Sequence, residues 1–407
     1  MSTDRFKISV LKPPSPEARP AVGSVARRLL DYKRSAADAY DQNRQVGAWT
    51  MISQEELRQR LSRFPRTRLA HLPTPLEKMG RLSERLGGPA LYMKRDDQTG
   101  LAFGGNKARK LEFIMADVVE KGADSVVTWA GVQSNWCRQV AASAARIGKR
   151  AVLVLLKRPG LPTAEDGNLL IDRVFDADIR VVEASGEKGF LEYENVREYV
   201  DPVLEEEEAA GRTTYLAPIG GSLLEGSMDR PLGAFGYVSA FAELLEQTQA
   251  RGFTPEYVVL ATGSAGTQAG LLAGAKLLSP NTRIIGISVA ASTQVVSRYV
   301  KDIAEKTLGE LGQPQEVSDP DVIVFDDYLG DGYGILTQDI TDALRLVARE
   351  EGVLLDPVYT GKAMTGLLDL AGKRYFDEGE VVFLHSGGTP ALFPYRDRLL
   401  ADLEGRR

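Results

Sequence analysis

Tyr257-Val258-Val259-Leu260-Ala261-Thr262-Gly263-Ser264-Ala265-Gly266-Thr267 joins an apolar run to five small residues, and a helical pattern follows at 267–278. A short, β-branched apolar run ending at glycine predicts a buried strand. Small residues between a strand and a helix let backbone N–H groups approach an anion, and the helix start adds partial positive charge. The stretch Gly263, Ser264, Ala265, Gly266, Thr267 therefore has the form of a phosphate cradle. It is neither a Walker loop nor a dinucleotide fingerprint, since no Gly-Lys-Ser/Thr and no GxGxxG spacing is present. A plain strand-to-helix turn is the alternative reading.

Strand-like and helical runs alternate along the chain, without an internal sequence repeat. Strand-like runs at 125–129, 151–156, 179–182, 257–261, 284–289, 322–325 and 381–385 alternate with helical patterns such as 141–147, 267–278, 336–350 and 363–375. Alternation of this kind predicts an α/β fold with parallel sheets covered on both faces. Ligands in such folds bind at the carboxyl ends of strands, where Gly-rich loops open helices. Ahead of this region the chain reads differently. Pro13-Pro14-Ser15-Pro16 predicts an extended or disordered start, and 26–40 and 54–61 carry charged helical spacing, together an added arm or a disordered leader.

Composition narrows the function. With 407 residues, the chain is long enough for two domains. Its net charge of −6 and lack of long basic runs argue against nucleic-acid binding. No apolar run reaches the length of a membrane span, and the first residues lack a secretory core. A single cysteine, Cys137, cannot form an internal disulfide and fits a reducing compartment. With only His71 and His385 as histidines, no His-rich metal site is expected. The acidic run 205–208 reads as a solvated helix face.

Chemistry concentrates in a few motifs. Gly104-Gly105-Asn106-Lys107-Ala108-Arg109-Lys110 places a lysine on a Gly-rich turn before an apolar helix. Burial near other cations lowers a lysine pKa and frees its lone pair, which suits a Schiff base with an aldehyde cofactor. Lys107 and Lys110 share a helix face, so one can hold the aldehyde and the other a phosphate; a solvated basic patch is the alternative. Gln133-Ser134-Asn135 begins a helix and offers a hydroxyl and an amide to a carboxylate, or simply caps that helix. Trp136 follows at a place suited to stacking on a planar cofactor, or to the core. Tyr333, between two glycines, and Tyr359 are candidate proton donors or acceptors. Thr360 and Ser386 add neutral hydroxyls at neighbouring strand ends.

Taken in order, these motifs resemble one family. Lys94-Arg95-Asp96-Asp97, the Lys107 turn through Glu112, Gln133-Ser134-Asn135 with Arg138-Gln139, Pro218-Ile219-Gly220-Gly221-Ser222, the 263–267 loop, Asp356-Pro357-Val358-Tyr359-Thr360-Gly361-Lys362 and His385-Ser386-Gly387-Gly388 span roughly 69–395. The chain resembles the D-cysteine desulfhydrase and 1-aminocyclopropane-1-carboxylate deaminase family of pyridoxal-phosphate enzymes, to which L-cysteate sulfo-lyase also belongs. The resemblance implies fold type II, tryptophan synthase β-like: two three-layer α/β/α domains with the active site between them. It places an arm at 1–64, a large cofactor-binding domain at 65–109 and 232–407, and a small domain at 110–231. It implies pyridoxal 5'-phosphate as cofactor, with Lys107 as the Schiff-base lysine. Lys110 and 263–267 become phosphate ligands, Asn135 the partner of the cofactor's phenolic oxygen, and Ser134 the residue that binds or acts on the substrate carboxylate. Gln133 and Trp136 join the substrate side. Tyr333 and Tyr359, 26 residues apart, match the family's two active-site tyrosines.

The implied reaction removes an α-proton from a small amino acid, expels a β-substituent, and yields pyruvate and ammonia. The family's deaminase carries glutamate and leucine where Thr360 and Ser386 stand. Hydroxyls there do not enforce a protonated ring nitrogen, so a good leaving group such as sulfide or sulfite is favoured over a cyclopropane. L-cysteate cleavage, cyclopropane deamination, β-replacement and racemisation remain alternatives on the same scaffold, as does a non-catalytic binding role. Two departures stand out: Trp136 replaces a histidine common in the family, and 223–230 is longer than the family pattern, an insertion that can reshape the pocket. A cytoplasmic homodimer is the implied state.

Overall fold

The computed structural model describes residues 51–184, 189, 191–376 and 379–404. The Pro-rich start and the helical pattern at 26–40 lie outside the described residues. The pattern at 54–61 forms the helix Gln54–Leu61, with Ser53 accepting a capping bond from the Glu56 amide and Leu57 fully buried.

Among the described residues, ten strands form two sheets. They are β1 Leu76–Lys78, β2 Ala90–Lys94, β3 Ser125–Gly131, β4 Arg150–Lys157, β5 Asp178–Glu183, β6 Thr214–Leu216, β7 Tyr257–Thr262, β8 Arg283–Ser288, β9 Ile323–Phe325 and β10 Glu380–Leu384. The larger sheet has the order β1-β2-β10-β7-β8-β9, and the smaller β5-β4-β3-β6. Every pairing is parallel except β1 with β2. The expected α/β class with two parallel sheets is thus present. All seven residues of β3 are buried, as a strand covered on both faces requires. Val127 and Trp129 pack with Val154 and Val200 on one face, while Val126 and Ala130 join the core on the other. Each fully buried aliphatic side chain contributes about 1.5–3 kcal/mol.

Strand β10 lies between β2 and β7 although far from both in sequence. That order sets the loops after β2, β10 and β7 side by side. Helix Lys107–Glu120 packs on helix Leu232–Gln249, which in turn packs on helix Gly266–Leu278. Close approach depends on glycine: a Cβ at Gly236 would lie 2.5 Å from the Arg109 carbonyl oxygen.

A buried ionic network fixes the first turn of helix Lys107–Glu120. Arg109 is fully buried and donates to both oxygens of Asp96 at 2.9 Å, and to both oxygens of Glu243 at 2.8 and 2.9 Å. Asp96 also accepts from Thr74 and Tyr237, and Lys94 donates to Glu243. The Asp96 backbone carbonyl receives the Gly105 amide, so the network reaches the lysine turn directly.

One expectation is corrected. The run 205–208 is not wholly solvated: Glu207 is buried against the Arg212 guanidinium, while its acidic neighbours are exposed. The segment 223–230 borders the small sheet's edge. Ser227 bonds to both backbone groups of Leu216 on β6, and Glu225 accepts from the Tyr193 amide. These contacts blunt an edge strand, the usual need of exposed ladder groups.

Candidate active site

The lysine turn sits at the base of the site. Gly104 and Gly105 have φ of +67° and +126°, in the region that favours glycine. A Cβ at Gly105 would meet the Gln139 amide nitrogen at 2.6 Å, so the turn is also closely packed. Lys107 opens its helix and is partly exposed, with Nζ donating to Asn106 Oδ1 at 2.8 Å. Burial of the amine pushes its pKa down to about 8; Asp356 opposes the shift and the Arg138 charge adds to it. A neutral fraction of about a tenth at pH 7, far above that of an ordinary lysine, makes this amine available as a nucleophile.

Across the turn lies the 263–267 loop. Ala265 adopts φ +65°, and the helix it opens has no side-chain cap, which leaves N-terminal amides for an anion. Lys110 is fully buried and donates to the Gly220 carbonyl and Ser222 Oγ at 2.9 and 3.1 Å. Ser222 Oγ lies 2.8 Å from Ser264 Oγ, and Asn106 Nδ2 donates to Thr267 Oγ1 at 3.1 Å. A Cβ at Gly266 would meet Ser222 Oγ at 2.5 Å and Lys110 Nζ at 3.1 Å. Burial, with Lys107 nearby, lowers the Lys110 pKa well below its ordinary value. A bound dianion would reverse that pressure.

Beyond β3, Ser134 caps helix Asn135–Arg146, its Oγ accepting from the Trp136 and Cys137 amides. The capping reading is therefore realised, and the hydroxyl keeps its own proton to give. Asn135 Oδ1 accepts from Arg138 Nη2 at 3.4 Å, leaving Nδ2 as the amide's donor. Gln133 is placed differently from the substrate role expected of it. Its side chain bonds to the Ala164 and Asp166 carbonyls and the Asn168 amide, bracing a neighbouring segment. Trp136 likewise serves packing. The indole is 3% exposed, donates to Thr128 Oγ1 at 2.7 Å, and lies against the Gly221 turn.

The two phenols meet. Tyr333 and Tyr359 oxygens are 2.5 Å apart, with rings edge to face, and Lys107 Nζ lies 5.9 Å from the Tyr359 ring centroid. Burial pushes Tyr333 up to about 12 and Tyr359 well above its ordinary value, so both stay protonated at neutral pH. The loop carrying Tyr333 is pinned from both sides. Lys362 donates to the Leu329 and Gly332 carbonyls at 2.6 and 2.5 Å, and Tyr395 to the Gly334 carbonyl at 2.5 Å. Lys362→Met is expected to lower kcat/KM by about ten- to a hundredfold through a displaced Tyr333. Steady-state kinetics check this, and unchanged kinetics would show that the pin is dispensable.

Asp356 organises the remaining side. Its carboxylate accepts from the Val358, Tyr359 and Thr360 amides and from Thr360 Oγ1, at 2.7–2.9 Å. Thr360 thereby gives its only hydroxyl proton to Asp356. The Ser386 carbonyl accepts the Asn106 amide, so its contribution to the lysine turn comes from backbone. His385 is buried, with Nδ1 accepting from the Gly387 amide and Nε2 facing the Leu354 carbonyl; burial lowers its pKa.

The arrangement unites a depressed lysine, an uncapped helix start beside a buried lysine, and paired phenols. Residues 67–387 match the model of the family described as "Pyridoxal-phosphate dependent enzyme". The chain belongs to this pyridoxal-phosphate dependent enzyme family. The pyridoxal-phosphate enzyme is 40% identical over 350 residues to D-cysteine desulfhydrase of Serratia proteamaculans, covering 84% of this chain and 99% of that protein. It is 40% identical over 346 residues to the D-cysteine desulfhydrase of Klebsiella pneumoniae, covering 84% and 99%. A solved structure of an ACC deaminase homologue aligns with TM-score 0.76 at 34% identity, over 85% of this chain and 99% of that one. Threonine deaminase isoform 2 of Solanum lycopersicum shares the fold, with TM-score 0.58 at 19% identity over 87% and 90%.

The residues fit the cofactor. Lys110, Ser264, Thr267 and the open helix start match a phosphate, and Lys107 an aldehyde carbon. Three contributors went unassigned in the sequence reading: Arg138, Asp356 and Lys362. Each lay inside a quoted motif, but their partners are 30 or more residues distant or are backbone groups of a turn.

Proposed function

We propose that this enzyme is a deaminating β-eliminating lyase for D-cysteine or a close sulfur-bearing analogue. Water is consumed, and pyruvate, ammonia and sulfide are released. The observation that carries the reading is the Lys107 amine 5.9 Å from the centroid of the Tyr359 ring, whose phenol oxygen meets that of Tyr333 at 2.5 Å. Pyridoxal phosphate, when bound, withdraws electron density from the amino acid's α-carbon. Lys107, neutral in part, is suited to take the α-proton. The Ser134 hydroxyl and the Asn135 Nδ2 donor at a helix start are suited to orient the substrate carboxylate. The Tyr333–Tyr359 pair keeps a proton for the leaving sulfur. Thr360, a neutral hydroxyl where a carboxylate would hold a ring nitrogen protonated, does not enforce that protonation, which favours a good leaving group.

Cyclopropane ring opening is the second reading, supported by the similarity to the ACC deaminase homologue. Pyruvate and ammonia assays with D-cysteine, L-cysteine, L-cysteate, D-serine and the cyclopropane amino acid separate the two. D-cysteine is expected to give kcat/KM at least about tenfold above the others, a discrimination worth about 1.4 kcal/mol. Faster turnover of the cyclopropane substrate would overturn the assignment.

In this reading 65–109 and 232–407 form the cofactor domain, 110–231 the small domain, and 1–64 an arm. The working state is a cytoplasmic homodimer. No helix among the described residues is long and apolar enough to cross a membrane.

A further inference from the structure

Arg138 is a fully buried cation without a salt bridge among the described residues. Its Nε donates to Asn168 Oδ1 at 2.7 Å, and its Nη2 to the Gly104 carbonyl at 3.2 Å and to Asn135 Oδ1 at 3.4 Å. Nη1 has no partner. The three acceptors are neutral and come from three segments: the lysine turn, the start of helix Asn135–Arg146, and helix Gly167–Val174. Asn168 in turn donates Nδ2 to the Gln133 carbonyl. The guanidinium therefore ties the turn that presents Lys107 to the loop that presents Ser134 and Asn135.

The carboxyl that acts on Arg138 is Asp172. Both its oxygens are buried without a hydrogen-bond partner, and burial pushes it well above the carboxylate range. Cys137, the other titratable group beside Asp172, is pushed up by burial and stays a neutral thiol. Burying a cation without a charged partner is costly, and a brace alone needs only a neutral donor. The groups that face Lys107 are Arg138, Asp356, Lys110 and the phenols of Tyr359 and Tyr333. Asp356 is already engaged by four donors of its own turn.

We propose that Arg138 is a positioning residue that couples the Lys107 turn to the Asn135 amide and, as a cation with no hydrogen-bonded carboxylate among the described residues, disfavours a second positive charge on Lys107. Its burial also pulls its own affinity for the proton down, to about 10, so it stays charged wherever the enzyme works. The inference rests on the assignment of Lys107 as the cofactor-holding amine.

The test is the pH dependence of pyridoxal-phosphate capture by the full-length chain freed of cofactor, followed by visible absorbance. The parent is expected to show a midpoint near 8. Arg138→Gln is expected to raise it by on the order of one unit. Arg138→Lys, which keeps the charge, is expected to hold the parent's midpoint. Asn168→Asp gives Arg138 a carboxylate partner while leaving the guanidinium in place, and is expected to move the midpoint upward as well. It decides the matter if Arg138→Gln does not fold. An unchanged midpoint in Arg138→Gln or Asn168→Asp, or an upward shift in Arg138→Lys, would overturn the proposal. Capture at Lys107 by the parent together with unmoved variants defeats this inference alone. Absence of capture at Lys107 in the parent defeats the assignment beneath it.

Discussion

Replacing Lys107 by alanine is expected to lower turnover about ten-thousandfold while leaving the fold intact. The side chain is partly exposed and hydrogen-bonds to the adjacent Asn106, so little packing is lost. Two functions disappear together: the amine that holds the cofactor and the base that takes the proton. Lys107→Arg should fail as well, because a guanidinium stays charged across the working pH range and offers no lone pair. The pH dependence has a defined sign. Burial, reinforced by Arg138, lowers the amine pKa to about 8. Cofactor capture by the cofactor-free chain should therefore rise about tenfold per pH unit below that value and level off above it. Capture that is flat from pH 6 to 9 would mean that Lys107 is not the reacting amine.

Asp96→Ala is expected to destabilise the fold by about 3–5 kcal/mol, because it leaves Arg109 short of a buried counter-charge. Glu243 remains as a partner but is itself shared with Lys94. Burial pushes the Asp96 carboxyl up, and the Arg109 charge overrides it, holding it below the carboxylate range; Glu243 follows the same balance. A carboxylate whose pKa is lower folded than unfolded adds stability above its unfolded value and loses it as pH falls. The parent and Asp96→Ala should thus differ fully at neutral pH and converge below about pH 4. Guanidinium unfolding midpoints measure both effects. A neutral-pH difference under about 1 kcal/mol would show that Glu243 suffices for Arg109.

Much of this architecture was legible in the chain. The run 257–261 and the five small residues after it formed a strand and an uncapped helix start, because apolar β-branched residues and glycine leave few alternatives. Strands β3, β4, β7 and β8 were legible for the same reason. Strands β1, β2 and β6 were not: β1 and β6 are three residues long at sheet edges and exist by pairing with β2 and β3, and β2 reads only as the start of the alternating region. Helix Leu232–Gln249 was also missed. It is buried on nearly every side, so it lacks the polar stripe that gives a surface helix its period.

The site divides along a similar line. Lys107, Tyr333 and Tyr359 announce themselves by residue type and loop setting, and the structure brings them together. Gln133 and Trp136 sit in equally suggestive positions, yet their side chains turn to Asn168 and Thr128. Direction of that kind depends on partners from other segments, which spacing along one chain does not encode. Lys362 is the converse: an unremarkable lysine in sequence, it holds two carbonyls of a loop 30 or more residues away.

The most direct measurement is borohydride reduction of the holoenzyme followed by peptide mapping. The account predicts a single pyridoxyl label on Lys107, absent from Lys107→Ala. A label on Lys110, on another side chain, or on none would contradict it.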